Sequence, residues 1–335
     1  MRLYRSLALV ATLLAFGVVA LGAYVRLSDA GLGCPDWPGC YGHLLGVPDA
    51  PHEQAAAVQS FPGKPVETGK AWKEMVHRYF AGTLGLLILG LAILAWRPEI
   101  RERASPWLPT ALLGIVGFQA LLGMWTVTLL LKPVIVSAHL LGGMTTLGML
   151  VWLLLRQTSP RPVERPNSLR PLALLALVAV IAQIALGGWT SSNYAALACT
   201  DFPTCQGSWL PTMDFGHAFA LRRELGQTSD GGLLPFSALT AIHWTHRLWA
   251  VGVLLAVGGL AIRLMRLPAW RRWGHWLAGL LTLQWCLGIA NVLLSLPLPI
   301  AVAHNLGAAA LLAATLALNF RLWHRPASRE FAYLS

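Results

Sequence analysis

The chain of 335 residues is 56% hydrophobic and only 12% charged, against about 25% charged in an average soluble domain. That balance excludes an ordinary soluble enzyme and makes the chain a polytopic membrane protein. The net charge of +11 does not mark a nucleic-acid binder, because the charge follows the membrane topology instead.

In chain order, eight apolar runs read as spans, at about 6–25, 75–96, 107–130, 134–155, 171–190, 238–262, 273–294 and 300–322. Each is close to the ~20 residues a spanning helix needs. The first has a short basic lead, Arg2 and Arg5, as a signal peptide would. It is too long for a signal core and has no small-residue cleavage pattern before Arg26, so a retained helix is expected. The N-terminus and the even-numbered connections share one side of the membrane. That side holds Arg2, Arg5, Arg97, Arg101, Arg103, Arg156, Arg161, Arg165, Arg170, Arg263, Arg266, Arg271, Arg272, Arg321, Arg325 and Arg329. They are 16 of the 25 Lys and Arg, with only 4 of the 14 acids. The positive-inside rule puts this side, and both termini, in the cytoplasm.

The second half of the chain repeats the first. Ala185-Leu186-Gly187-Gly188-Trp189 matches Ala20-Leu21-Gly22-Ala23-Tyr24, and Cys199 and Cys205 match Cys34 and Cys40. Gln284 and Gly288 match Gln119 and Gly123, and His304 matches His139. All these pairs are offset by 165 residues; His246 matches His77 at 169, after an insertion in the second outer loop. Four spans per half give both halves the same direction through the membrane. The sequence therefore predicts an all-α integral membrane fold. Its eight transmembrane helices form two parallel-repeat four-helix bundles, residues 1–160 and residues 161–335.

Four histidines stand at repeat-related positions: His77, His139, His246 and His304. Each lies near the outer start of a span, so all four share a depth near the outer leaflet. Ionisable groups at such positions face a bundle interior and pair or do chemistry there. Two imidazoles at one depth can ligate one metal from opposite faces. The small residues that follow, Gly82, Gly142, Gly143, Gly252 and Gly307 among them, leave room for a flat macrocycle or for close helix contact. Haem iron accepts axial histidine, so two pairs predict two haem sites. Interhelical hydrogen bonding by each histidine is the plainer reading. Zinc is a weaker rival, since it wants a tetrahedral set. Arg78 and Arg247 follow two of the histidines and are placed either to meet haem propionates or to snorkel to the headgroups. Glu74 lies three residues before His77, on the same helix face. His243 takes its place in the second half and is a candidate to line the second pocket. Gln119 and Gln284 read as bundle hydrogen-bonders.

The pairs Cys34/Cys40 and Cys199/Cys205 lie in outer loops, where an oxidising periplasm permits disulfides. Each bridge would close seven residues and contribute about 2.4 kcal/mol in the chain-entropy model. A structural staple is the favoured reading. Metal binding, and a redox relay for the first pair, stand as rivals.

Glu74-x-x-His77-Arg78, His139, His246-Arg247, His304 and the two cysteine pairs together resemble the haem A synthase family, a bacterial eight-helix family, over nearly the whole chain. The resemblance implies an oxidoreductase that converts the C8 methyl of haem O, through a hydroxymethyl, to the formyl of haem A for terminal oxidases. It implies substrate haem between His77 and His139 in the N-terminal half. It implies haem B between His246 and His304 in the C-terminal half, and a catalytic carboxylate at Glu74. It also implies a bacterial inner-membrane location with periplasmic cysteine loops. A haem O synthase would supply the substrate, and an electron acceptor is required. A di-haem cytochrome b that only moves electrons, or a haem transporter, is the alternative. A pure electron wire needs no Glu74, and a transporter site should lie near the midplane.

Overall fold

The computed structural model describes residues 1–157 and 166–324. Arg161, Arg165, Arg325 and Arg329, and the boundary between residues 160 and 161, lie outside the described residues. Among the described residues there is no strand, and eight helices are long and apolar enough to cross a membrane. They are α1 (Arg2–Leu27), α2 (Thr68–Ala95), α3 (Trp107–Thr128), α4 (Pro133–Arg156), α5 (Arg170–Ser192), α6 (Phe236–Met265), α7 (Arg271–Leu293) and α8 (Leu298–Trp323). Helices dominate because hydrocarbon cannot satisfy backbone N–H and C=O groups.

Proline marks the first turn of α4, α5 and α8, where its missing N–H costs nothing. The α3–α4 and α7–α8 hairpins each turn on two left-handed residues, Leu130 and Leu131 in one, Ser295 and Leu296 in the other. In both, the second residue's N–H closes the helix end, Leu131 onto Thr126 O at 2.8 Å and Leu296 onto Asn291 O at 2.7 Å. A left-handed leucine is strained by about 1–2 kcal/mol. Leu131 offsets this by burial, and its side chain lies where a Cβ on Gly31 would stand.

Helix α2 begins seven residues before the apolar run predicted. Thr68, Lys70 and Lys73 interrupt the apolar run, yet they continue the helix because loop groups receive this turn: Lys70 pairs with Glu67, and Ala71 is buried against the first disulfide loop. Glu74 therefore sits inside the helix, beyond its first turn, and has no capping role at a helix start.

Helices α1 to α4 pack in a closed ring, each on the next and α4 back on α1. Helices α5 to α8 close a second ring in the same order. The rings meet through α1 on α8, α4 on α5 and α4 on α8. At the outer end of this seam, Arg26 donates to Ser191 O at 2.6 Å and Tyr194 donates to Asp29 at 2.9 Å. Each of these pairs is separated by 165 residues. Arg26 also lies over the Tyr194 ring.

The main core lies toward the inner half of the bundle. Tyr4, Ala8, Ile88, Leu91, Leu112, Leu147, Leu150, Ala176, Leu260, Leu264, Leu318 and Leu322 are all buried there. Leu3, Leu13, Leu86 and Leu255 point outward, as lipid-facing residues do. Gly274 lets the start of α7 close on the end of α6. A Cβ there would stand 2.6 Å from Met265 Cγ and 2.7 Å from Ala261 O.

Two disulfide loops cap the outer side, Cys34–Cys40 and Cys199–Cys205. They are built alike. Asp36 accepts from the N–H groups of Tyr41 and Gly42, as Asp201 does from Gln206 and Gly207. Tyr41 and Gln206 both take left-handed backbone, stabilised by these bonds. The Thr204 hydroxyl, then the Gly207 N–H, hold the Asp201 carboxyl down at about 2. Its contribution to loop order is present above 3.8 and is lost as pH falls through about 2. The expected bonding of both cysteine pairs is met. Cys286 is free and exposed on α7.

Two outcomes follow. Gly274→Val should destabilise the detergent-solubilised protein by about 1–3 kcal/mol, read as earlier loss of the monodisperse peak on heating; unchanged thermal stability would refute the close α6–α7 approach. A membrane-permeant maleimide should label only Cys286 in unreduced protein, and all five cysteines after reduction and denaturation.

Candidate functional site

The helices that run outward carry the pieces that face the histidines. Gly22, Gly123, Gly187 and Gly288 each lie five residues before the end of their helix, α1, α3, α5 and α7. That is about 7.5 Å below the outer end at 1.5 Å per residue. A Cβ on Gly22 would stand 3.1 Å from His77 Cε1, and one on Gly187 would stand 3.1 Å from His246 Cε1. The same holds for Gly123 against His139, at 3.4 Å, and Gly288 against His304, at 3.1 Å. Each imidazole thus lies against a glycine of the preceding helix, and a Cβ at Gly22, Gly187 or Gly288 would require the ring to give by a few tenths of an ångström.

Within each ring of helices the two imidazoles are close enough to interact electrostatically, His77 with His139 and His246 with His304. At this depth the bundle is loosely filled. No residue is buried between Ala15 and Val25 on α1, Met75 and Leu84 on α2, or Ser137 and Met144 on α4. The same is true between His243 and Val253 on α6, Leu281 and Val292 on α7, and Ala301 and Ala309 on α8. On these six helices the buried core is interrupted at the level of the histidines, while Leu122 on α3 and Gly188 and Trp189 on α5 stay buried there.

The glutamines stand behind the second histidine of each pair. Gln119 occupies the space a Cβ on Gly142 would need, and Gln284 does so at Gly307. Gln284 Nε2 lies 3.4 Å from His304 Nε2. Gln183 on α5 reaches His246, with its Nε2 3.2 Å from Nδ1, and donates to the His246 carbonyl at 3.1 Å.

Above the histidines, each disulfide loop is latched to its helix by two side chains. Glu74 Oε2 accepts from the Cys34 N–H at 3.0 Å, and Glu74 Oε1 pairs with Arg78 at 2.5 Å. Arg78 also donates to the carbonyls of Asp36, Pro38 and Gly39. In the second half, the Cys199 N–H lies 3.3 Å from His243 Nδ1 and Arg247 Nε lies 3.2 Å from His243 Nε2; a neutral imidazole accepts from one of the two. Arg247 also donates to the carbonyls of Cys199, Asp201 and Thr204. Glu74 and His243 are both buried, at 5% and 4% exposure, which leaves loop and arginine as their hydrogen-bond partners. His243 thus lines the second site's roof. The arginines turn to the loops rather than to the headgroups.

Paired imidazoles against glycines fit a haem better than a bare ion. His77, His139 and His304 each keep a buried Nδ1 with no protein partner. Among the described residues no group of three or more His, Cys, Asp or Glu gathers to hold a metal ion, which disfavours zinc. The remaining histidines stand apart: His217 pairs with Asp214 at 2.6 Å, and His324 stacks on Phe320.

Sequence reasoning missed Gln183 and the four glycines. The glycines were visible inside the repeated Ala-Leu-Gly and Gln-x-x-x-Gly blocks, but the expected macrocycle room was assigned to small residues after each histidine. Of those, Gly82, Gly143 and Gly252 face open space, and Gly142 and Gly307 face the glutamines.

Comparison with known proteins places the chain among relatives of one kind. It is 46% identical over 315 residues to a Heme A synthase of Shewanella oneidensis, covering 93% of this chain and 94% of that one. It is 29% identical to a Heme A synthase of Caulobacter sp. strain K31, covering 93% and 94%. It is 30% identical to Heme A synthase 2 of Acidiphilium cryptum, covering 97% and 91%. Residues 5–316 match the family model COX15-CtaA, described as cytochrome oxidase assembly protein. The chain belongs to the COX15-CtaA family of cytochrome oxidase assembly proteins.

Proposed function

We propose that this chain is an oxidoreductase that converts haem O to haem A, oxidising the C8 methyl through a hydroxymethyl to a formyl group. The observation that carries this reading is two histidine pairs seated on glycines at one depth, one roofed by a carboxylate and the other by an imidazole. The names of relatives that span more than nine-tenths of the chain support it. We read residues 1–160 and 161–335 as parallel four-helix halves, each holding one haem. The matched rings and the contacts across 165 residues support that division.

We assign His77 and His139 to substrate haem O, and His246 and His304 to resident haem B. Haem B supplies one-electron chemistry when bound. The chain's own groups do the rest. The histidines fix each macrocycle, and the glycines set how near the rings stand. The latched loops cover the site from water. Arg78 and Arg247 place positive charge at its outer edge, where propionates would be met. Glu74 is the one acid on the His77 face of α2, one turn above it. Methyl to hydroxymethyl takes its oxygen atom from a water molecule and releases two electrons to the acceptor and two protons; hydroxymethyl to formyl releases two more of each, and Glu74 takes up a proton released at the carbon. The second half has His243 at this place, which suits an electron-transfer site with no proton to remove. A haem O synthase would feed the first site, and an electron acceptor would draw on the second. The arginine-rich connections support cytoplasmic termini in a bacterial inner membrane, with the cysteine loops in the periplasm.

Four variants test the assignment. His246→Ala and His304→Ala should each abolish the haem B signal in reduced-minus-oxidised spectra; a full signal in both would sink the ligand assignment. Glu74→Gln should lower haem A yield by about 10²-fold or more, with haem O or its alcohol accumulating and haem B retained. Glu74→His rebuilds the latch of the second half without a carboxylate. It should restore loop order but no haem A; recovery of wild-type yield would leave Glu74 only a latch.

A further inference from the structure

The two sites share their glycines; they differ in the roof, Glu74 against His243, and again behind the first histidine of each pair. Gln183 lies one turn before Gly187 on α5, so both face His246. Its amide stands 3.2 Å from His246 Nδ1 and 3.4 Å from Nε2. Its Oε1 is buried and has no protein partner. The repeat-related position on α1 is Val18. There, His77 keeps a buried Nδ1 with no protein partner. The glycine contact cannot explain a difference, because Gly22 and Gly187 approach their rings equally, at 3.1 Å. Nor can the glutamines on α3 and α7, since Gln119 and Gln284 are present in both halves.

We propose that Gln183 braces His246, that Val18 leaves His77 unbraced, and that this one difference makes the second site retain its haem while the first exchanges it. The proposal rests on the two-haem reading above. A histidine that ligates iron through Nε2 carries its proton on Nδ1, and the acceptor of that proton fixes both tautomer and ring rotation. Gln183 Nε2 donates to the His246 carbonyl at 3.1 Å and stands almost equally far from the two ring nitrogens, so its amide rests on the imidazole and ties it to its own backbone. A valine can donate nothing, so the ring of His77 is held by its glycine contact and by iron alone. Its ligation is then easier to break, as a site that must take in substrate and discharge product requires. Gln183 is a positioning residue, not a catalytic one.

The experiment uses the full chain in lipid nanodiscs, loaded with haem B, and follows transfer to excess apomyoglobin. Wild type should release haem in two phases, fast from the His77 site and slow from the His246 site. Gln183→Val should speed the slow phase by about 10–100-fold and shift the midpoint potential and low-spin EPR signature of the retained haem. Val18→Gln should slow the fast phase by about 10-fold and leave the slow phase and its EPR signature unchanged. A slow phase with wild-type rate in Gln183→Val would overturn the proposal. Should that variant not fold, Val18→Gln decides alone, and an unaltered fast phase would overturn it. A wild-type chain that retains no haem at all refutes the two-haem reading itself, before either variant is compared.

Discussion

The outer half of this protein depends on one interaction, made twice: an arginine one residue past a histidine gathers the carbonyls of a disulfide loop. Arg78 and Arg247 each turn several backbone acceptors toward one guanidinium. Arginine suits this because its donors form a rigid planar fork. A short loop stapled by a disulfide has few internal hydrogen bonds and would leave those carbonyls to water. Binding them to the helix that carries the histidine ties the roof of each site to its floor. The loop cannot move without disturbing the turn on which His77 or His246 sits.

Most of the fold was legible in the sequence because its determinants are local or periodic. Eight apolar runs, arginine-rich inner connections and a constant offset of 165 residues need no three-dimensional information. The cysteine pairs could be read as staples from spacing and compartment. The start of α2 was not legible, since hydropathy marks where lipid begins rather than where the helix begins. The partners of Glu74 were also hidden. Its helical face was clear from its spacing to His77. That Cys34 N–H would meet it depends on a loop 40 residues away. Gln183 was hidden for the same reason, because its partner is 63 residues away.

The repeat makes the differences between halves informative. Where both halves carry the same residue, a shared structural requirement suffices: Gly22 and Gly187 for ring approach, Arg78 and Arg247 for the loops. Where they differ at a buried, hydrogen-bonding position, packing alone does not ask for the difference. Glu74 and His243 do the same work toward the loop N–H, so either residue would serve as a latch. The carboxylate in one half and the imidazole in the other are therefore a difference that the latch alone does not require.

The loose band around the histidines completes this argument. A bundle without a hydrophobic drive between helices is held by close packing and interhelical hydrogen bonds. Here the tight packing is concentrated toward the inner half, in the cluster around Leu91, Leu147, Leu150 and Leu318. The outer half is secured instead by the contacts of Arg26 with Ser191 and Tyr194 at the outer end of the seam and by the latched loops. Stability and ligand space are thereby separated along the membrane normal. The inner half can be packed without regard to the histidine sites, and the outer half is held by loops and hydrogen bonds rather than by a filled core.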